Sequence, residues 1–373
     1  MHATIPSGSK LTADAFKFVH HDRLARRFDT TYSHLRLIDG LPDIRTYNDV
    51  LYTPARITPE GETGALFDSE GARIPASILM RGAAQVSPTT EPAMHARQEQ
   101  VAEHPDTYLY LGWFQPHFGH FITETLARFW ALREYVPGKL KILVHMPVPG
   151  MLNWPYVQEV LQGFGLSAED IHSFDHSCVL KHVIVPDAAL SLESHVFSGF
   201  RDSLVPLIEQ GVNSTSSRSD QPVYFSRTRL RKGVYFYHGE DVLEARLKEQ
   251  GVRILYPETM SVFEQIRVVN THAHVIGIIG SGLHNSIFAR SDLRVTYLTP
   301  RWVNPTCLLL DRCFDIDSTY VQVCDPSDVL RAQWARVRKR IPLLPKPRRK
   351  NRFHFERRLD MRLIDSWLKT TDL

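Results

Sequence analysis

The chain has 373 residues, of which 43% are hydrophobic and 23% are charged, and its formal net charge is +3 at pH 7. This composition describes an ordinary globular protein that is long enough for two hydrophobic cores. No run approaches the roughly 18 apolar residues of a transmembrane helix, and the first residues lack the apolar segment of a secretion signal. We therefore expect a cytoplasmic protein without a membrane span.

The cysteines give no sign of a metal site or of a disulfide framework. Cys178, Cys307, Cys313 and Cys324 form no Cys-x-x-Cys pair. We therefore expect reduced cysteines without a structural role for zinc.

Positive charge is concentrated near the C-terminus. Residues 336–358 contain eleven lysines and arginines and one acid, Glu356. Such a run is most often a solvated surface, and it is also suited to binding an anionic membrane surface. Nucleic acid is not predicted as a partner, because the segment has no recognised binding motif and few aromatic residues.

The first half of the chain changes character near Thr107. Before it, proline and turn formers leave only short strand-like pieces at 51–53 and 77–80. The elements predicted after it are a strand at 108–111, a helix at 119–135, a strand at 141–144, a helix at 156–164 and a strand at 183–185. Strands that alternate with helices of this length predict βαβ units and a parallel sheet.

A second alternation follows the polar segment 211–221, which is the best candidate for a linker. Its predicted elements are a strand at 223–225, a helix at 240–249, a strand at 253–256, a helix at 262–270, a strand at 274–279, a helix from Leu283 and a strand at 294–298. We therefore predict two α/β domains, at 1–210 and 222–330, with a ligand cleft between them. The basic segment 331–373 is expected either to remain a tail or to pack back, as a helix, on the first domain.

The most informative segment is the turn Gly280-Ser281-Gly282 between a buried strand and a helix. Such a turn directs backbone N–H groups and the helix dipole at one point, which suits a phosphate or diphosphate. An ordinary strand-to-helix connection is the alternative on the glycines alone. The dinucleotide-binding fingerprint is not met, because Asn285 stands where its third glycine would be.

A second segment pairs an imidazole with a carboxylate. His120 and Glu124 lie one turn apart on the predicted helix and share a face. A partly buried carboxylate beside a histidine is a suitable general base, and a purely structural pair at the start of a helix is the alternative. His117 does not complete a convincing metal set, because a turn at Gly119 separates it from His120.

A third segment carries positive charge at the end of a strand. Ser226 and Arg227 directly follow the strand at 223–225, and Arg229 and Arg231 come next. The carboxyl end of such a strand is where an anionic ligand binds in α/β proteins, although a solvated basic turn has the same composition.

Two further patterns are weaker. Asp315-Ile-Asp317 mimics the Asp-x-Asp with which many sugar transferases hold a divalent cation, but it follows the last predicted strand. His272 and His274 alternate at the start of a strand and are expected to be packed or surface residues, not ligands.

Together the three main segments resemble glycosyltransferase family 61. The matching residues are His120-Phe121 with Glu124, Ser226-Arg227, Phe263-Glu264-Gln265-Ile266, and Gly280-Ser281-Gly282-Leu283 with Asn285 and Phe288. The resemblance covers about residues 112–298, and the combination is specific although no single piece is. Many members read His-Gly-Ala-Gly-Leu at the turn, whereas this chain has Ile279 and Ser281 in the His and Ala positions.

The resemblance implies a GT-B fold, in which two Rossmann-like domains face each other across a cleft, and inverting transfer from a nucleotide sugar without a metal. Glu124 is preferred as the base that deprotonates the acceptor, with His120 orienting it, and the reverse assignment stays open. The 1–210 domain then binds the acceptor and the 222–330 domain the donor. The residues assigned to the donor are Ser226, Arg227, Arg231, Glu258, Glu264, Gly280, Ser281, Gly282, Leu283, His284 and Asn285.

The leading hypothesis is a cytoplasmic bacterial enzyme that adds a hexose or pentose to a capsular or other surface polysaccharide. UDP is the expected nucleotide, the acceptor is a glycan or lipid-linked glycan, and no cofactor is expected. Peripheral binding to the inner membrane through residues 336–358 is part of this hypothesis. The alternatives are a metal-dependent transferase using Asp315 and Asp317, and a non-catalytic polysaccharide- or nucleotide-binding protein.

Overall fold

The protein is described from a computed structural model, which covers residues 8–58, 61–82, 84–85, 102–212, 218–290, 292–324, 352–371 and 373. It divides into two compact units. The first comprises Met1–Leu11, His34–Gly211 and Arg312–Phe314, and the second comprises Thr12–Ser33, Val212–Asp311 and Asp315–Leu373. Within the described residues no helix is both long and apolar enough to cross a membrane.

The first unit is built around a mixed six-stranded sheet. In spatial order its strands are Ile171–His172, Lys141–His145, Glu103–Trp113, Cys178–Pro186, Ile44–Thr58 and Gly61–Phe67. The first four are parallel, whereas the last two pair antiparallel. The predicted parallel sheet is therefore only partly correct, because strand 51–53 belongs to a long hairpin that the turn-rich sequence conceals.

Short strands and helices complete the first unit. The remaining strands are Ser9–Lys10, Arg36–Ile38, Met80–Arg81, Ala84–Gln85, Leu190–Ser191 and His195–Phe197. The helical segments are Pro75–Ser77, Phe118–His120, Phe121–Thr125, Leu126–Glu134, Met151–Asn153, Pro155–Gly163, Ala168–Asp170, Phe200–Ser203 and Val205–Gly211. The strand predicted at 77–80 is wrong: this segment ends a 3₁₀ turn and reaches a strand only at Met80.

The second unit contains a six-stranded sheet that is parallel throughout. In spatial order its strands are Arg253–Leu255, Val223–Phe225, His274–Ile278, Arg294–Thr299, Asp317–Gln322 and Lys17–Val19. All five residues of His274–Ile278 are buried, as expected for a strand covered on both faces. The strands and helices predicted at 223–298 are present with small shifts, except that the helix after the glycine turn is a 3₁₀ helix.

The helical segments of the second unit connect and cover these strands. They are Ala13–Ala15, Asp22–Ala25, Phe28–Thr31, Glu240–Glu249, Pro257–Thr259, Val262–Thr271, Ser281–Phe288, Met361–Thr370 and Pro305–Cys313, most of which lies in this unit. The strand Lys232–His238 pairs in parallel with Arg352–Arg358 outside the main sheet.

Two segments near the chain ends belong to the second unit. The N-terminal strand Lys17–Val19 joins the sheet of the second unit, where Lys17 also pairs with Asp317 at 2.7 Å. The C-terminal helix Met361–Thr370 belongs to the second unit too, and its Ile364 and Trp367 are fully buried in that core. Its apolar face packs within the core of the second unit. Most of the basic segment 336–358, and part of the predicted linker, lie outside the described residues.

The four cysteines are all buried. Buried thiols in an apolar core act as small hydrophobic side chains. This agrees with the absence of any disulfide pattern in the sequence.

Candidate functional site

A topological switch point lies in the sheet of the second unit. The chain passes from Val223–Phe225 to Arg253–Leu255 on one side and then returns to His274–Ile278 on the other. In open α/β sheets, ligands bind outside the carboxyl ends of the two strands at which the order reverses. Arg227 follows one of these strands and Gly280 follows the other, so both lie at the position where a ligand is expected.

Arg227 lies directly against the glycine turn. A Cβ atom on Gly280 would come within 2.7 Å of Nη1 of Arg227, closer than real side chains approach. The guanidinium donates from Nη2 to the carbonyl of Tyr235 at 3.2 Å and lies 5.6 Å from the ring centre of Tyr237. Its Nε is buried without a hydrogen-bond partner among the described residues. The turn and the cation therefore lie side by side in an arrangement suited to an anion, which we call the switch-point site.

Arg229 and Glu258 border the switch-point site. Arg229 stacks on Tyr256, with 3.7 Å between the guanidinium carbon and the ring centre. Glu258 lies in the turn Pro257–Thr259, and partial burial raises its pKa although Arg227 and Arg229 oppose the shift. Arg231 is exposed further along the same connection. Of the cations predicted from the Ser-Arg segment, Arg227 and Arg229 thus lie close to the turn, whereas no contact among the described residues places Arg231 there.

Two buried carboxylates on the helix Glu240–Glu249 support the backbone of this site. Glu240 accepts the backbone N–H of Arg227 at 2.8 Å and the hydroxyl of Tyr224 at 3.0 Å. Glu244 accepts the hydroxyls of Ser226 and Thr228. Burial raises the pKa of Glu240 to about 7, although these hydrogen bonds partly compensate. The two acids therefore fix the turn after Val223–Phe225 through hydrogen bonds, and both are buried away from solvent.

Some predicted donor residues prove to be structural supports. Ser226 is fully buried, and so is Asn285, while Leu283 is 2% exposed. Asn285 donates to Gln265 at 2.5 Å and to the carbonyl of Gly282 at 3.0 Å. These side chains shape the turn, whereas Gly280, Ser281, Gly282 and His284 are partly accessible at its surface.

The Glu-Gln pair of the motif acts mainly on its own helix. Glu264 accepts the backbone N–H of Ser261 at 2.7 Å in a capping box at the start of Val262–Thr271. Gln265 donates to the carbonyls of Pro257 and Met260. The predicted contact of Glu264 with the donor is therefore not needed to explain this residue, because helix capping accounts for its carboxylate.

In the first unit His120 and Glu124 form the predicted pair. Nδ1 of His120 lies 2.8 Å from Oε2 of Glu124. The glutamate side chain is 4% exposed and the histidine side chain 37%. Only the imidazole therefore presents a substantial surface to solvent.

Arg81 is a third member of this group. Its Nε and Nη2 each lie 2.7 Å from one oxygen of Glu124, which is a bidentate ion pair. Burial alone would raise the pKa of Glu124, but the hydrogen bonds from His120 and Arg81 outweigh it and hold the pKa below its ordinary value. Glu124 is therefore a well-stabilised anion that orients the histidine.

The local backbone explains how Glu124 reaches both partners. The predicted helix at 119–135 is an α turn at Phe118–His120, a π turn at Phe121–Thr125 and a 3₁₀ segment at Leu126–Glu134. Isolated π turns inside helices occur frequently at functional sites. This one holds Glu124 in the buried part of the unit.

No set of metal ligands is found in the described part of the chain. It contains no group of three His, Cys, Asp or Glu residues that could hold an ion. His117 contacts His120 edge-on, with ring centres 5.3 Å apart. Asp317 forms an ion pair with Lys17, which accounts for one of the two acids of the Asp-x-Asp pattern.

His274 donates to or accepts from Thr296 at 2.9 Å, and burial lowers its pKa to about 4, so it is a packed neutral residue as predicted.

Sequence reasoning did not identify Arg81, Glu240 or Glu244. The i, i+4 spacing of the two acids after the Ser-Arg strand was a signal for a shared helix face. No local signal marks Arg81, because it meets Glu124 across 43 residues of chain.

The second unit has a glycine turn beside a cation at the switch point of its parallel sheet, and the first unit has a histidine oriented by a carboxylate. Group-transfer enzymes with α/β folds use features of both kinds. The family model described as Glycosyltransferase 61 matches residues 118–296. Residues 118–296 are therefore a glycosyltransferase family 61 domain, and this match supports glycosyltransferase activity. The matched range contains His120, Glu124, Arg227 and the glycine turn, and it excludes Arg81. No curated protein matches the chain.

Proposed function

We propose that this glycosyltransferase moves a sugar from a nucleotide diphosphate donor to a hydroxyl of a glycan or lipid-linked glycan. The reaction inverts the anomeric carbon and needs no bound divalent cation, and UDP is the nucleotide we expect. The observation that carries the proposal is the contact of Arg227 with Gly280 at the switch point. The GT-B fold is likewise a proposal.

The switch-point site has the chemistry to hold a diphosphate. Arg227 and Arg229 supply positive charge, and the start of the segment Ser281–Phe288 supplies backbone N–H groups. Departure of the nucleotide diphosphate leaves negative charge on its terminal phosphate. Fixed cations and N–H groups stabilise that charge in the transition state, which is the role that a divalent cation has in other transferases.

His120 is the general base in this proposal. The sequence alone favoured Glu124, but both oxygens of that carboxylate are engaged by Arg81 and one also accepts from His120. A histidine that donates Nδ1–H to a carboxylate presents Nε2 as a proton acceptor. It would take the proton of the acceptor hydroxyl as this oxygen attacks the anomeric carbon, and Glu124 would stabilise the imidazolium that forms.

The biological setting is a further part of the proposal. We propose that the acceptor belongs to a bacterial surface polysaccharide and that the enzyme acts in the cytoplasm at the inner membrane. Residues 336–358 would bind anionic lipid there, at roughly 1 kcal/mol for each lysine or arginine near the surface.

A thermal-shift screen of the full chain with UDP, GDP, CMP and TDP, each with and without EDTA, tests this function. A ligand at a hundred times its dissociation constant stabilises a protein by about 2.7 kcal/mol, which gives a measurable shift. We expect one diphosphate to stabilise the protein equally well in EDTA. A shift that requires a divalent cation would instead support a metal-dependent transferase, and no shift with any nucleotide would support a non-catalytic binding protein.

A further inference from the structure

A strongly basic cavity lies elsewhere on the same unit. It has a volume of about 450 Å³, which is within the usual range for ligand sites. It is lined by the segment after Lys17–Val19, by Arg301, which follows the strand Arg294–Thr299, and by Gln322, the last residue of Asp317–Gln322. Because the strands are parallel, the cavity opens at the carboxyl edge of the sheet, as the switch-point site does.

The cavity is separate from the switch-point site. The switch point lies between Val223–Phe225 and His274–Ile278, whereas the cavity is centred on Asp317–Gln322. With neighbouring strands about 4.8 Å apart, the two places are separated by roughly 12 Å along the sheet edge. The two sites also share no lining residue.

The charge of the cavity favours a multiply charged anion. Four guanidinium groups line it, from Arg23, Arg26, Arg27 and Arg301, against one acid, Asp22. All four arginines are exposed, and among the described residues none has a recorded ion pair. Neighbouring arginines that form no ion pair repel one another, and a bound phosphate relieves that repulsion by accepting several charge-assisted hydrogen bonds.

Two histidines, His20 and His21, also line the cavity. His20 has a φ of 59°, in the left-handed region that residues other than glycine seldom adopt. Its Nε2 is buried without a hydrogen-bond partner in the described part of the chain. His21 is fixed against Thr299, with 2.6 Å between Nε2 and Oγ1. A strained residue with an unsatisfied buried nitrogen is often found where a ligand completes the site.

We propose that this cavity is a second anion site, which binds a phosphate or pyrophosphate group independently of the donor nucleotide. The guanidinium groups of Arg23, Arg26, Arg27 and Arg301 bind its oxygens. In the proposed reaction this group belongs to the acceptor, and only that assignment rests on the proposed function. The source of the phosphate is either a lipid headgroup that carries the acceptor or a soluble phosphorylated compound.

Calorimetric titration of the full chain with pyrophosphate at about 0.15 M salt tests the site. The first variant, Arg227→Ala, removes the switch-point cation. The second, Arg23→Gln/Arg301→Gln, removes the positive charge of two arginines that line the cavity. Arg253→Gln/Arg267→Gln is the matched control, because it removes two exposed arginines that do not line the cavity. Arg26→Gln alone is a second cavity variant in case the double variant is poorly folded.

We expect two classes of site in the wild type and in the control. Arg227→Ala should keep the cavity site, and the cavity variants should lose it or bind at least tenfold more weakly there. If Arg227→Ala abolishes all binding, or if the cavity variants bind like the control, the cavity proposal is wrong while the proposed function stands. If Arg227→Ala changes nothing, the proposed function fails and the cavity site survives.

Vesicles distinguish the two sources of phosphate. Co-sedimentation with vesicles that contain phosphatidic acid, lost in Arg23→Gln/Arg301→Gln and kept in the control, identifies a lipid phosphate. Binding of soluble pyrophosphate without such a difference on vesicles identifies a soluble ligand. Binding of neither probe at the cavity overturns the proposal.

Discussion

Gly280 and Arg227 meet so closely that no other residue fits at position 280 without moving the arginine. The Cβ of an alanine would lie 2.7 Å from Nη1 of Arg227. The φ of Gly280 is 165°, an extended conformation that any residue adopts. Glycine is therefore required at this position because the guanidinium leaves no room for a Cβ atom, and not because the backbone is strained.

Gly280→Ala should displace Arg227 and weaken nucleotide binding at least tenfold, or about 1.4 kcal/mol. The clashing atom is the end of a long side chain, so the free energy of unfolding should change far less than the binding free energy. Isothermal titration with the preferred nucleotide and urea unfolding measure the two effects. Gly282→Ala is the comparison, because its Cβ would meet Pro257 at an ordinary 3.6 Å. Equal losses in the two variants would contradict this account.

Arg227→Ala should lower kcat/KM about a hundredfold, which corresponds to about 3 kcal/mol of transition-state stabilisation. The physical reason is the loss of the cation that faces the leaving diphosphate. Steady-state kinetics measure the loss in kcat/KM. Arg253→Ala is the control, because Arg253 is the first residue of an edge strand and lies at the amino end of the strands, away from Arg227. Undiminished turnover would remove Arg227 from the mechanism.

His120→Ala should lower kcat by 10²- to 10⁴-fold, as expected for loss of a general base. Glu124→Gln should lower kcat less, because the histidine remains and loses only its charged partner. The dependence of kcat on pH separates the roles: the limb that reports the base should vanish in His120→Ala and persist in Glu124→Gln. The opposite pattern would restore Glu124 as the base.

Arg81→Met should destabilise the protein by about 3 kcal/mol at pH 7, because it leaves Glu124 buried without its bidentate partner. The pKa of Glu124 is lowered in the folded protein. The stabilisation is therefore present above the ordinary value of 4.5 and is lost as the pH falls through the lowered pKa. Urea unfolding at pH 7, 5 and 3 should show the wild type and the variant converging at low pH. A difference that does not change with pH would point to lost packing instead.

Glu240→Gln should stabilise the protein at pH 8 and leave its stability unchanged near pH 4. Burial raises the pKa of Glu240 from 4.5 to about 7, so the folded wild type loses stability as the pH rises through this range. The shift corresponds to at most about 3 kcal/mol. Glutamine keeps an oxygen that accepts from Arg227 and Tyr224. Chemical unfolding of both proteins at pH 4, 6 and 8 measures the difference, and a variant that is less stable at pH 8 would refute the argument.

Local patterns identified the elements but not how some of them are assembled. The strand at His274–Ile278 and the capped helix Val262–Thr271 were predictable because hydrophobic runs and capping residues are close in sequence. Glu264 carries two signals, because its spacing from Ser261 predicts a capping box while its place in the family motif predicts a ligand contact, and the structure shows the capping box. The strand Lys17–Val19 joins its sheet about 300 residues away in sequence, and no local pattern encodes that pairing.

The sequence by itself determined the α/β class, the family resemblance and the two segments that carry His120 and Arg227, because these depend on residue type and short spacing. Only the tertiary structure decided that Arg81 engages Glu124 and that Gly280 makes room for Arg227. It also decided that Ser226 and Asn285 are closed to solvent. The reason is physical: a side chain's proton affinity and accessibility depend on charges and packing brought from distant parts of the chain, which appear only when the chain is folded.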